Sequence, residues 1–135
     1  MMFSCIIWSN PDKLTNERGP NMGVLSASPT TMDTCIEACL KCMRACEECT
    51  TACLQESDVQ ARVRCIQTLN DCAEICAQAA QYMSRNSSFA AQLCGVCATI
   101  CEQCATECEN LQDSHCQECA AICRQCAEAC RQMAG

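Results

Sequence analysis

The chain has 135 residues and a formal net charge of −7, and 20 of its residues are cysteine. Only nine Lys and Arg are present, which argues against nucleic acid or an anionic membrane surface, since both require clustered basic side chains. No run approaches the ~18–20 apolar residues of a membrane span, and the length suffices for one domain with its own core.

Cysteine at about one residue in seven lies well above the ~8–10% that marks a scaffold or metal-binding chain. It also inflates the 50% hydrophobic content, because the only aromatic residues are Phe3, Trp8, Tyr82 and Phe89. A core built from this sequence must therefore be filled largely by thiols. When protonated, these behave as small hydrophobes.

Residues 1–30 hold all three prolines, two of the four glycines and a single cysteine, Cys5. They are expected to form a flexible or partly ordered N-terminal arm, with Met22 as an alternative translation start. The apolar run Phe3–Trp8 is too short for a signal h-region, no positive charge precedes it, and no twin arginine is present. The expected compartment is the cytoplasm, where thiols stay reduced.

Residues 31–135 are expected to form a four-helix-bundle domain. The first predicted helix runs from about Thr31 to Gln55, with Thr34 and Glu37 as a capping box. The second runs from about Asp58 to Ser84, capped by Ser57 and Gln60, with a seam of Cys65, Leu69, Cys72, Cys76, Ala79 and Met83. Arg85–Ser88 is a turn into a third helix that ends near Leu111. Ser114 with Gln117 starts a fourth, which runs to about Met133. Loops of about three to five residues favour antiparallel neighbours. The predicted fold is all-α, an antiparallel up-down-up-down four-helix bundle with a cysteine-lined core.

The cysteine spacing is the strongest signal. C-x-x-C-x-x-x-C-x-x-C-x-x-x-C occurs at Cys39, Cys42, Cys46, Cys49, Cys53, again at Cys94, Cys97, Cys101, Cys104, Cys108, and again at Cys116, Cys119, Cys123, Cys126, Cys130. Alternating steps of three and four keep side chains on one helix face, the a and d positions of a bundle seam. Cys35, Cys65, Cys72 and Cys76 extend the set to nineteen helical thiols.

That many inward thiols implies a multi-metal core. Soft thiolates select Cu(I), zinc or iron–sulfur clusters. The runs that iron–sulfur clusters favour are absent, and no proline follows any cysteine. Zinc wants four thiolates per ion and would leave net negative charge in a dry core. Cu(I) accepts two or three thiolates, and bridging brings the ratio towards one ion per sulfur and the charge towards neutrality. The empty protein is expected to fold with protonated thiols, which incoming Cu(I) displaces.

The triplicated spacing over residues 31–133 resembles that of the bacterial copper-storage proteins of the cytosolic type. The resemblance implies storage of multiple Cu(I) ions by a four-helix bundle, assembly into tetramers, and ligation by the helical cysteines. Cys5 is not carried over. His115, the only histidine, falls at the same bundle end as Cys53, Cys65 and Cys108, where it is either a copper ligand at the mouth or an exposed loop residue. Met32, Met83 and Met133 fall at the opposite end, as a thioether gate or an apolar plug. Met43 is expected at the surface or an interface.

Arg62, Glu56 and Asp58 either guide metal at the His115 end or form a solvated helix end. Ala38, Ala45, Ala52, Val96, Ile100, Ala120, Ile122 and Ala127 are expected on outer faces. The alternative functions are a thiolate-based zinc or cadmium buffer, a cluster-bearing electron carrier, and a disulfide-stapled structural protein. No catalytic residues are assigned, and an enzyme is not expected, since no acid–base pair or nucleophile constellation is present. A copper donor or acceptor protein is not identified by the sequence.

Overall fold

A computed structural model describes residues 30–135 of the chain. It contains helices α1 (Thr31–Leu54), α2 (Val63–Ser84), α3 (Ala90–Glu109) and α4 (Ser114–Ala134), with a 3-10 turn Val59–Arg62 leading into α2. No strand occurs among the described residues. The N-terminal arm up to residue 29, including Cys5 and Met22, lies outside the described residues.

The helices have 24, 22, 20 and 21 residues, or roughly 30–36 Å at 1.5 Å per residue. Their connections, residues 55–58, 85–89 and 110–113, are short enough to make consecutive helices antiparallel neighbours. Each helix packs on its sequence neighbours, and α1 packs on α4 to close the ring.

Several helix starts differ from the sequence-based expectation. The capping box at α1 is Thr30 with Asp33, not Thr34 with Glu37: Asp33 N–H donates to Thr30 Oγ1, and Thr30 N–H donates to Asp33 Oδ2, both at 3.0 Å. Thr30 has the extended backbone that a cap requires, whereas Thr34 is already helical and bonded to the Thr30 carbonyl. The Ser57/Gln60 start of the second helix is replaced by the 3-10 turn, and α2 begins at Val63 without a side-chain cap.

In the next turn Asn86 adopts φ 54°, a left-handed conformation that asparagine tolerates. Helix α3 then ends at Glu109, two residues before Leu111. At α4 the cap position belongs to Asp113, whose backbone is extended. Gln117 instead donates to the carbonyls of Leu111 and Glu109 at 2.6 and 3.3 Å.

Every cysteine from Cys35 to Cys130 is buried and free. Ala120 and Ala127, expected on an outer face, are buried instead, at 2% and 1% exposure. They flank the cysteine seam and belong to the buried core cluster. Ala38, Ala45, Ala52, Ile100 and Ile122 are half-buried, and Val96 is exposed. Met83 is fully buried, with Met32 and Met133 packed partly buried against the core, and Met43 is half-buried.

The largest fully buried side chains are Leu69 and Met83, followed by cysteines. Truncation at Leu69 removes apolar contacts that small neighbouring thiols cannot replace. Leu69→Ala is therefore expected to destabilise the reduced, metal-free protein by about 2–5 kcal/mol in chemical denaturation. A cost under about 1 kcal/mol would mean that the surrounding thiols collapse into the space.

Candidate metal centre

The antiparallel register turns the four cysteine stripes into ladders. Between α1 and α4 the sulfurs pair as Cys35–Cys130 (3.7 Å), Cys39–Cys126 (3.8 Å), Cys42–Cys123 (3.8 Å), Cys46–Cys119 (4.0 Å) and Cys49–Cys116 (3.8 Å). Between α2 and α3 the rungs are Cys76–Cys97 (3.7 Å), Cys72–Cys101 (3.6 Å) and Cys65–Cys108 (3.6 Å). Along each ladder one residue number rises as the other falls by the same step. That register sets Leu69 opposite Cys104 and Ala79 opposite Cys94. These are the two core thiols that make no sulfur–sulfur hydrogen bond among the described residues.

The two ladders are joined across the axis. Cys42 contacts Cys72 at 3.7 Å, and Cys76 contacts Cys126 at 3.8 Å. Diagonal contacts such as Cys39–Cys130 at 3.6 Å and Cys46–Cys123 at 3.8 Å link successive levels. Several sets, including Cys39/Cys76/Cys97/Cys126, Cys42/Cys46/Cys72/Cys123 and Cys35/Cys39/Cys130, have all their ligand atoms within 4.8 Å of one another. Soft, closely spaced donors with no competing oxygen or nitrogen suit a thiophilic ion that shares sulfurs with its neighbours.

His115 joins Cys49, Cys53 and Cys116 in one such set. Its Nδ1 lies 3.6 Å from Cys49 Sγ and 3.5 Å from Cys116 Sγ. Its Nε2 faces two carboxylates, Asp113 Oδ2 at 2.8 Å and Glu56 Oε2 at 3.2 Å. Placing the ring proton on Nε2 satisfies that side and leaves the Nδ1 lone pair aimed at the thiols, as in carboxylate-oriented metal histidines.

Arg62 is buried at 5% exposure rather than part of a solvated helix end. The 3-10 turn directs it inward, where it donates to Asp58 Oδ1 at 2.7 Å and to Asp113 Oδ1 and Oδ2 at 2.7 and 3.2 Å. Asp113, which the sequence reading did not single out, thus holds both Arg62 and His115. Its signal was its place immediately before α4 and two residues before the only histidine.

The Arg62 guanidinium holds the Asp113 carboxyl well below the usual carboxylate range. In turn the Asp113 and Asp58 carboxylates raise Arg62 above its ordinary value. Burial pushes the Cys94 thiol up. Burial likewise raises Cys116, with a further contribution from its hydrogen bond with Asp113. Both shifts favour the neutral thiol.

A ring of helices closed around stacked thiols, with one imidazole at its end, is a soft-metal-binding bundle. A family model described as copper storage protein matches residues 28–135, and the chain belongs to that family. The chain is similar to a Cu(I)-bound copper storage protein, at 48% identity and TM-score 0.74, covering 78% of this chain and all of that one. The metal-free copper storage protein 3 of Bacillus subtilis matches at 47% identity and TM-score 0.73, covering 76% of this chain and 98% of that one. A Streptomyces lividans copper storage protein loaded with 10 copper equivalents matches at 33% identity and TM-score 0.78, covering 93% and 98% of the two chains. Another structure, described as a cytosolic copper storage protein from Streptomyces lividans, is 37% identical with TM-score 0.75 over 77% and 92% of the two chains. A comparison with curated proteins gives no significant match.

Because the folded-state pKa of Asp113 is depressed, its stabilising contribution is present above the ordinary carboxylate pKa of ~4 and is lost as pH falls through the lowered value. Asp113→Asn is expected to cost the metal-free protein about 1–3 kcal/mol at pH 7. The difference from wild type should narrow as denaturation is repeated below pH ~4. Equal stability at neutral pH would show that Asp58 alone suffices for Arg62.

Proposed function

We propose that residues 31–135 store and buffer Cu(I) in the cytoplasm, with the nineteen core cysteines as thiolate ligands and Nδ1 of His115 as a further ligand at the mouth. The observation that carries this reading is the length of the sulfur column. Contacts of 3.6–4.0 Å run unbroken from Cys35 to Cys46 and Cys119, and at the His115 end Cys49, Cys53 and Cys116 form a further set at 3.6–3.8 Å. A single site would need four ligands, not a column of them.

Charge balance favours Cu(I) over zinc within that column. Each zinc ion with four thiolates would leave two negative charges in a buried space, whereas shared thiolates let a Cu(I) chain approach neutrality. The cytoplasmic setting is supported by the Streptomyces lividans relative described as cytosolic. Storage rather than catalysis is supported by the sealing of the thiols, most of which are 0% exposed and out of reach of any larger substrate.

Assembly into a tetramer is part of the proposal. Its support is the family resemblance together with a shallow, open groove between α1 and α2, in which Leu40, Met43, Ala77 and Ala80 are bordered by Gln81, Ser84 and Arg85. Light scattering on the metal-free protein is expected to give four chains per particle, and a monomer would remove this part of the reading.

Anaerobic titration against a competing Cu(I) chelator tests storage itself. Uptake is expected to continue to on the order of ten or more ions per chain, approaching one per thiol. Saturation at a few equivalents would refute it. Because each ion displaces thiol protons, apparent affinity should fall as pH is lowered, with proton release measurable in weak buffer. His115→Ala is expected to weaken only a minority of the bound ions, those at the mouth.

A further inference from the structure

The column ends differently at its two extremities. At one end Met32, Met83 and Met133 pack neutral thioethers against the core. At the other end a cation is buried directly against sulfur. Arg62 Nη1 donates to Cys53 Sγ at 3.5 Å and to Cys116 Sγ at 3.6 Å. Arg62 also stands at the end of the 3-10 turn leading into α2, three residues before Cys65, where the repeat would otherwise present another thiol.

The position has an electrostatic consequence once copper is bound, and in this it rests on the storage reading. A Cu(I) ion that replaces the protons of two thiols forms a bis-thiolate with one net negative charge, and the two protons leave to solvent through the mouth. Inside the column that charge is relieved by sharing each sulfur with the next ion. Cys53 and Cys116 are terminal and have no further ion beyond them. An uncompensated anion in a buried site is costly.

We propose that Arg62 is the fixed counter-ion of the mouth centre, receiving through its N–H groups the negative charge that appears on Cys53 and Cys116 when Cu(I) binds. Arginine suits this role because its planar fork spans partners on several sides. Its Nε and Nη2 are anchored by Asp58 and Asp113, while Nη1 is shared between Asp113 Oδ2 at 3.2 Å and the two sulfurs. Having no lone pair to offer a metal, Arg62 is a positioning residue and not a ligand. Asp113 ties it to the imidazole that faces the same copper position, so charge compensation and ligand orientation share one carboxylate.

The test uses the full metal-free chain and stopped-flow transfer of Cu(I) from a coloured chelator complex, with final stoichiometry and helicity recorded. Arg62→Met is expected to reach the wild-type stoichiometry with unchanged helicity but to load about tenfold more slowly. Arg62→Lys should be intermediate, since an ammonium cannot span two carboxylates and two sulfurs at once. Arg44→Met, which removes an exposed cation paired with Glu48 on the outer face of α1, should load at the wild-type rate. If Arg62→Met does not fold, the slowing in Arg62→Lys carries the test. Loading of the Arg62 variants at or above the wild-type rate, with a full store in the wild type, would overturn the counter-ion role alone. A wild type that saturates at a few ions would overturn the storage reading itself.

Discussion

The structure depends on sulfur packing against sulfur along the axis of the bundle. A protonated thiol is small and weakly polar, so it can fill a seam position that would ordinarily hold Leu or Val. The same atom becomes a soft anionic ligand when its proton is exchanged for Cu(I). Packing in the empty state and ligation in the filled state therefore draw on one set of side chains. The antiparallel register makes this work, because it brings Cys42 to Cys123 and Cys72 to Cys101 on the same level without any loop contributing a ligand. Each helix supplies a rail, and the short connections hold the rails in step.

Holding such a store empty requires that the thiols stay neutral, and burial achieves this at Cys94 and Cys116. Polar groups are instead concentrated where the column meets solvent. Glu56, Asp58, Arg62, Asp113 and His115 form one hydrogen-bonded set at that end. The thioether end has no comparable network among the described residues. This polarity makes the two ends of the column chemically distinct.

Much of this was legible in the sequence, because a three-and-four spacing has only one helical interpretation and thiols on one face have few uses. The four helices, the nineteen-thiol core and the end occupied by His115 all follow from that periodicity. What escaped was set by tertiary geometry. Arg62 reads as a helix-end charge until the 3-10 turn rotates it onto the seam, where the cysteine repeat had already marked its place. Asp113 is one acidic loop residue among others until the closing of the bundle sets it between a guanidinium and an imidazole. Ala120 and Ala127 look external on a helix with a narrow seam, and only the close approach of neighbouring helices covers them. Helix starts slipped for a simpler reason: Thr30 and Thr34 both offer a hydroxyl three residues before an acidic side chain, and backbone conformation alone separates them.

The two interrupted rungs show the limit of building a core from ligands. Cysteine is smaller than the residues that usually fill a bundle, and a level occupied by four thiols leaves little apolar contact to hold the helices at a fixed spacing. Leu69 occupies one such level opposite Cys104, and Met83 closes the end beyond Ala79 and Cys94. Apart from these two, the largest fully buried side chains are cysteines. A thiol at Leu69 would complete a rung and add a donor, yet it would remove one of the few bulky contacts that keep the empty bundle folded. Capacity and folding without metal therefore pull on the same positions. At position 69 the chain carries a bulky buried contact in place of a donor.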